Sequence, residues 1–353
     1  MARINFVLPS LPTKPVGGVK IMFQFANKLA ARGHQVTILY SVRRPFKKPK
    51  TPVWLRYLIY QLRGTNITWF ALDKVIKQEI VPEISDRYVP DAEATLCTWW
   101  QMAYAINELS ASKGNKCNLI QDYEIWTGQS DRVHESYNLP LHHCVIAKYL
   151  QAIFEKITGR KPPLTPLAID TSQFHLIKPS NERDDASIIM LYSLEPRKGS
   201  DYGIQALEKV KQSVPNLNVT LFSVYPRPET IPAWMEFHTR PTDLVGLYNQ
   251  HAIFFSPSLG EGWALPPAES MSCGCAVVCT DIGGHKDYAI DGETALLVQP
   301  KEVDEMAATI HRLISERELR LRLANAAHKL ITTEFNWEKS VERLESILLG
   351  KGG

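Results

Sequence analysis

The stretch from Ser256 to Val298 reads SPSLGEGWALPPAESMSCGCAVVCTDIGGHKDYAIDGETALLV, and its order of apolar runs and breakers decides the fold. An apolar strand at 251–256 runs into a loop, and Pro266 and Pro267 then open a helix, in a turn that needs no backbone donor from them. A second apolar strand follows at 275–279 and a third at 294–298. Strands alternating with helices build a parallel, doubly wound α/β sheet, whose ligands gather beyond the strands' C-terminal ends.

Reading outward, apolar runs near 187–192 and 217–223 extend this sheet towards the N-terminus. The first forty residues repeat the pattern: INFVLP is a strand, Val19, Met22, Phe23, Ala26, Leu29 and Ala30 recur at helical spacing, Gly33 stops the helix, and QVTILY is the next strand. Further strands are expected near 67–72, 93–97, 117–121 and 142–146. GRKPPLTPLAIDTSQF, rich in proline and without a sustained period, marks a connection, which places a boundary near residue 165. The expectation is an α/β chain with one Rossmann-type domain over 1–165 and another over 166–335. A helical run over 316–334 precedes a last helix over 336–353, whose stripe is Trp337, Val341, Leu344 and Leu348.

The 353 residues suffice for two cores. A composition 44% apolar and 22% charged excludes a disordered chain, and a net charge of +3 does not call for nucleic acid. MARINFVLPS lacks the pattern of a secretory signal and no run of about 18 apolar residues occurs, so a cytoplasmic protein is expected. The cysteines at 97, 117, 144, 273, 275 and 279 form no CxxC pair, and His142 beside His143 suits packing or surface better than metal. No Asp-x-Asp occurs, and neither metal nor cofactor is expected.

Amides at the N-terminus of the helix opened by Pro266, together with its dipole, suit a diphosphate. Glu269, one turn into that helix, is placed to accept hydrogen bonds from vicinal ribose hydroxyls, while Glu261 lies seven residues ahead of it in the loop. A diphosphate without metal needs Lys or Arg, and YSLEPRKGSDYGIQAL supplies Arg197 and Lys198 just past a strand. Gly17 and Gly18 stand at the turn into the first helix, where bare backbone admits close approach. Asp122, Tyr123 and Glu124 follow an apolar strand, as sugar contacts or as helix caps. From Arg43 to Arg63, five basic residues within eight positions precede Trp54, Tyr57, Leu58, Ile59 and Tyr60, either a surface for anionic lipid or a solvated loop before a buried helix.

On the Ser256–Val298 segment, Lys198–Gly199 and the two glycine pairs Gly17–Gly18 and Gly283–Gly284, the chain resembles the GT-B glycosyltransferases of retaining family 4, the glycosyl transferases group 1. The resemblance implies two domains facing across a cleft, with an acceptor-binding N-terminal domain, a nucleotide-sugar-binding C-terminal domain and a last helix packing back on the first. It implies that Glu261 holds the transferred sugar, that Lys198 and the helix amides stabilise the leaving diphosphate, and that Gly262, Trp263, Ala264 and Leu265 line the donor site. The donor would be a nucleoside diphosphate sugar and the acceptor a glycan or lipid-linked hydroxyl, in bacterial surface polysaccharide or glycan synthesis at the inner face of the membrane. The chain departs from the family at Ser193, where an arginine is usual, at Ala264, usually glycine, at Trp263, usually phenylalanine, and at Asp287, usually glutamate. A sugar phosphorylase, a sugar-phosphate synthase and a catalytically silent nucleotide-sugar binder on the same fold remain alternatives.

Overall fold

The computed structural model describes residues 1–48 and 50–350. Met1–Pro166, together with the residues from Glu338 onward, form one compact unit, and Leu167–Trp337 form another. Unit 1 runs β1 (Arg3–Leu8), α1 (Gly17–Ala31), β2 (Gln35–Ser41), α2 (Val53–Arg63), β3 (Lys77–Val81), β4 (Ala94–Cys97), α3 (Trp100–Asn107), β5 (Asn115–Ile120), α4 (Ser130–Tyr137), β6 (His142–Val145) and α5 (Lys148–Thr158). Unit 2 runs β7 (Ser187–Leu191), α6 (Ser200–Ser213), β8 (Asn218–Ser223), β9 (Glu236–Thr239), α7 (Leu244–Gln250), β10 (Ile253–Ser256), α8 (Leu265–Ser272), β11 (Ala276–Thr280), β12 (Leu296–Val298), α9 (Val303–Ser315) and α10 (Arg317–Glu334).

Each sheet has six strands, ordered β3-β2-β1-β4-β5-β6 in unit 1 and β12-β11-β10-β7-β8-β9 in unit 2. Every strand pair is parallel. The central strands are buried on both faces, which is why they read as unbroken apolar runs such as FVL and IFFS. Chain order reverses between β1 and β4 in unit 1 and between β10 and β7 in unit 2. At such a switch the loops leaving two adjacent strands diverge and open a crevice at their C-terminal ends.

The strand expected at 67–72 is not there. That run is a loop whose Trp69 and Phe70 rings lie 5.6 and 5.4 Å from Phe23 of α1, and the Trp69 indole donates to the Pro12 carbonyl. Its apolar side chains cover a helix instead of entering the sheet, and the third strand forms later, as β3. The last helix, α11 (Trp337–Leu348), buries Trp337, Val341, Leu344 and Leu348. From Glu338 onward it belongs to unit 1, where Arg32 meets Glu338, Glu342 and Glu345, and Asn115 donates to the Leu348 carbonyl. All six cysteines are buried and free, and His143 is buried against Phe154 with its pKa pushed down to about 4 by desolvation.

Candidate functional site

The switch in unit 2 determines what meets there. The loop after β7 ends in a short 3-10 turn at Pro196–Lys198, and the loop after β10 carries Glu261. The Leu259 amide donates to the Arg197 carbonyl at 2.7 Å, tying the loops together. Gly199 makes the approach possible: its φ is +63, and a Cβ there would lie 2.0 Å from the Pro257 carbonyl oxygen.

Lys198 Nζ lies 2.8 Å from each carboxylate oxygen of Glu261, and Ser258 donates its hydroxyl to Oε1 at 2.8 Å. The side chains are only 20% and 9% exposed, so each charge needs the other. Desolvation pushes the Glu261 carboxyl up, but the Lys198 charge and hydrogen bond, with help from the Ser258 hydroxyl, outweigh it and hold the pKa below its usual value. The two residues read separately as a sugar contact and a phosphate contact thus occupy one another, in a small hollow that Ser258, Ala264, Pro266 and Pro267 also line.

Glu269 lies deeper. Only 4% exposed, it accepts a long 3.4 Å hydrogen bond from the Tyr248 hydroxyl, whose pKa burial and this carboxylate raise. Arg197 meets Glu195 at 3.4 Å on the surface. Trp263 is buried against Tyr288, ring centroids 4.8 Å apart, and against Phe335, so its indole acts as packing behind the loop. Gly262, Trp263 and Leu265 do not line the hollow, whereas Ala264 does.

Sequence reasoning missed His285. It is fully buried, its Nδ1 bonds the Thr280 carbonyl at 2.8 Å and its Nε2 faces Ser256 Oγ at 3.3 Å. Desolvation lowers its pKa and keeps it neutral. It anchors the turn in which Gly284 packs on the Glu261 backbone, where a Cβ would lie 2.4 Å from the Glu261 carbonyl oxygen. The signal was present in the buried polar residue directly after the glycine pair.

In unit 1, Gly17 and Gly18 begin α1. Neither has a positive φ, and a Cβ on Gly17 would meet nothing within 4 Å, so packing does not demand these glycines. Gln121 Nε2 bridges the Gly18 carbonyl and the Thr98 hydroxyl, joining the loops at the β1–β4 switch. Glu124 accepts the Trp100 amide at 2.8 Å, which commits its carboxylate to the start of α3 as a cap. Asp122 accepts the Tyr123 amide, and the Tyr123 hydroxyl lies 2.7 Å from His134 Nε2. The reading of 43–63 as a loop before a buried helix is corrected: α2 has no buried residue, with Trp54 at 68% and Leu62 at 81% exposure. Among the described residues no group of three or more His, Cys, Asp or Glu is placed to hold a metal, and no helix is long and apolar enough to cross a membrane.

Residues 185–316 match the family model described as Glycosyl transferases group 1. The chain is 34% identical over 101 residues to the D-inositol 3-phosphate glycosyltransferase of Nocardiopsis dassonvillei, covering 29% of this chain and 23% of that protein. It is 31% identical over 188 residues to the MMP alpha-(1->4)-mannosyltransferase of Mycolicibacterium hassiacum, covering 50% of this chain and 45% of the relative. The chain therefore spans less than half the length of these curated relatives. The structure of Anabaena Alr3699/HepE in complex with UDP and glucose superposes with a TM-score of 0.74 at 14% identity, over 99% of this chain and 100% of that one. At that identity the match speaks for the fold, which is GT-B. Over residues 185–316 unit 2 is similar to the glycosyl transferases group 1, the group that the Glu261 string resembles.

Proposed function

We propose that this chain is a metal-independent, retaining glycosyltransferase of family 4 that moves a sugar from a nucleoside diphosphate sugar to a hydroxyl of a glycan or lipid-linked acceptor. Unit 2 binds the donor and unit 1 the acceptor. The observation that carries the reading is the convergence of Lys198 and Glu261 at the unit 2 switch, beside the proline-opened N-terminus of α8. HepE with UDP and glucose, and the mannosyl- and inositol phosphate glycosyltransferases aligned above, support it.

The ion pair is the resting arrangement. When donor arrives, Lys198 turns to the diphosphate and Glu261 to hydroxyls of the sugar, so the desolvation cost of both charges is met before the substrate is present. The bond from the anomeric carbon to the diphosphate oxygen breaks, a bond to the acceptor oxygen forms on the same face, and the acceptor proton passes to the leaving diphosphate. Glu269 reaches the ribose by giving up its long bond with Tyr248.

The segment Arg43–Arg63 rests against an anionic membrane, with Trp54, Leu58 and Leu62 of α2 exposed beside the basic loop. On this reading the protein works at the inner face of the membrane, in surface polysaccharide or glycan synthesis.

The test is a donor screen in chelator that reads nucleoside diphosphate release on adding acceptor glycans, with calorimetry of the nucleoside diphosphate alone. Release is expected without metal, and Glu269→Ala weakens nucleotide binding by roughly 1–3 kcal/mol. Binding seen only with magnesium or manganese sinks metal independence. Binding without any release favours the catalytically silent reading, for which the missing arginine at Ser193 speaks.

A further inference from the structure

Beyond the C-terminal end of β2 the chain enters a loop that arranges basic groups around an open hollow of about 60 Å³, lined by Arg43, Arg44, Lys47 and Arg56. The loop is held in place. Phe46 sits in the left-handed region at φ 59, where a bulky side chain persists only if its surroundings over-determine it. Its ring stacks on Trp100 at 5.5 Å and 17°, meets Tyr104 edge-on at 4.9 Å, and lies under the Arg132 guanidinium at 4.4 Å. Arg44 is fixed as well, donating to the Pro9 carbonyl at 3.0 Å and to the Ser10 hydroxyl at 2.8 Å, just past the end of β1 and hence near the unit 1 switch.

Three of the four charges lack a counter-charge among the described residues. Arg43 pairs with Glu83 at 2.9 Å, but Arg44 meets only neutral oxygens. Among the described residues no carboxylate pairs with Arg44, Lys47 or Arg56. Burial, followed by the Arg56 charge, lowers the Arg44 pKa, the direction expected where two guanidinium groups lie close together. A fold does not order like charges around a hollow without cost.

We propose that this hollow is a binding site for the phosphate group of an acceptor or of its lipid carrier. Three guanidinium forks and one ammonium present donors from several directions, which suits the terminal oxygens of a phosphate monoester better than the two coplanar oxygens of a carboxylate. The site deepens the acceptor and membrane reading of Arg43–Arg63 and rests on it for the identity of the phosphate carrier, not for the existence of the pocket. A phosphate in free solution and one on a lipid headgroup share this chemistry, and the exposed Trp54, Leu58 and Leu62 of α2 give the lipid form a place to lie.

The experiment titrates the full chain with glycerol phosphate at fixed ionic strength, in the presence of saturating nucleoside diphosphate so that the donor site of unit 2 does not contribute. Saturable binding is expected, weakened at least about tenfold in Lys47→Gln/Arg56→Gln. Among the described residues neither side chain makes a hydrogen bond or ion pair, and Arg56 lies only over the Tyr60 ring of its own helix at 5.8 Å, so the variant keeps the fold, and its nucleoside diphosphate titration is unchanged. In a second arm, vesicles of phosphatidylcholine with and without phosphatidic acid are sedimented with the protein. Capture by phosphatidic acid that glycerol phosphate competes away identifies a lipid source, and glycerol phosphate binding with equal recovery on both vesicles identifies a soluble one. Absence of binding in both arms, or binding indifferent to the double substitution, overturns the proposal. Failure of the nucleoside diphosphate to bind sinks the donor reading of unit 2 and leaves the phosphate titration to decide this site on its own.

Discussion

The two units share a six-stranded parallel sheet with one reversal of strand order, and both gather basic side chains beyond the strand ends, yet they treat the charge oppositely. In unit 2, Lys198 is mostly buried and closed on Glu261, with Ser258 filling a further lone pair. In unit 1, Arg44, Lys47 and Arg56 border an open hollow without a carboxylate partner among the described residues. Burial explains the difference: the desolvated Lys198 must be paired, whereas the exposed Lys47 is screened by water and salt, and the half-buried Arg44 and Arg56 bear a smaller desolvation cost. The paired site is ready for a reaction that separates the pair, and the open one for an anion that fills it.

The comparison is broken most severely at Glu261. Glu261→Gln keeps the shape and removes the charge, and turnover should fall by about a hundredfold or more, near 3 kcal/mol of barrier, while affinity for the bare nucleoside diphosphate does not fall, because Lys198 no longer has to leave a carboxylate to meet it. Steady-state assays of nucleoside diphosphate release measure the first and calorimetry the second. Turnover within about twofold of the parent would remove Glu261 from the reaction.

Backbone substitutions sharpen the comparison. Gly33, which ends α1, has φ +87 and open space around it, while Gly199 has φ +63 and faces the Pro257 carbonyl. Gly33→Ala should cost about 1–2 kcal/mol of stability from the left-handed backbone alone. Gly199→Ala adds a contact that must be relieved by parting the two site loops, and should cost about 3 kcal/mol or more. Urea unfolding compares them. Equal losses would mean that the loops of unit 2 yield freely and that the close approach does not constrain the site.

Acid acts on both units through buried neutral histidines. Desolvation lowers His143 to about 4 from 6.5 and lowers His251 and His285 as well. Below 6.5 the unfolded chain takes up protons that the folded chain refuses, so stability is full above that pH and declines beneath it, by about 1.4 kcal/mol per pH unit for His143 down to its folded value of about 4, with His251 and His285 acting in the same direction. Glu261 acts in a lower window: its depressed pKa contributes above 4.5, and that contribution is lost as pH falls through the folded value. Denaturant midpoints measured from pH 7 to 4 should decline from about 6.5. A flat profile between pH 7 and 5 would contradict the buried neutral state.

How much of this was legible follows from where the information sits in the chain. The central strands were readable because burial on both faces demands unbroken apolar runs, and α8 because two adjacent prolines fit only a first turn. The edge strands β3 (KQEIV) and β9 (EFHT) were missed because an edge strand carries polar side chains. The ITWFAL run was taken for β3's place because aromatics packed over a helix look like a strand in one dimension. Lys198 and Glu261 were each found from local sequence. Their pairing was not, because 63 residues separate them and only the strand order of unit 2 brings their loops together. Glu124 differs again, since a carboxylate after a strand looks the same whether it meets a sugar or caps the next helix.

The smallest expected effect tests the open half of the comparison directly. If Arg44 and Arg56 repel one another across the hollow, Arg56→Gln should stabilise unit 1 by a few tenths of a kcal/mol at low salt, the scale of like-charge pairs on a protein surface. The gain should fade as ionic strength approaches about 1 M, where the Debye length shrinks to about 3 Å. Thermal unfolding at low and high salt, with and without glycerol phosphate, reads both consequences: the variant melts slightly higher in dilute buffer, and the parent overtakes it once phosphate is added, because only the parent gains the linkage stabilisation of a bound anion. A variant that melts lower than the parent in dilute buffer would show that the contact of Arg56 with the Tyr60 ring, 5.8 Å from its centroid, outweighs the repulsion from Arg44, and the cluster would then be no strained reserve of charge.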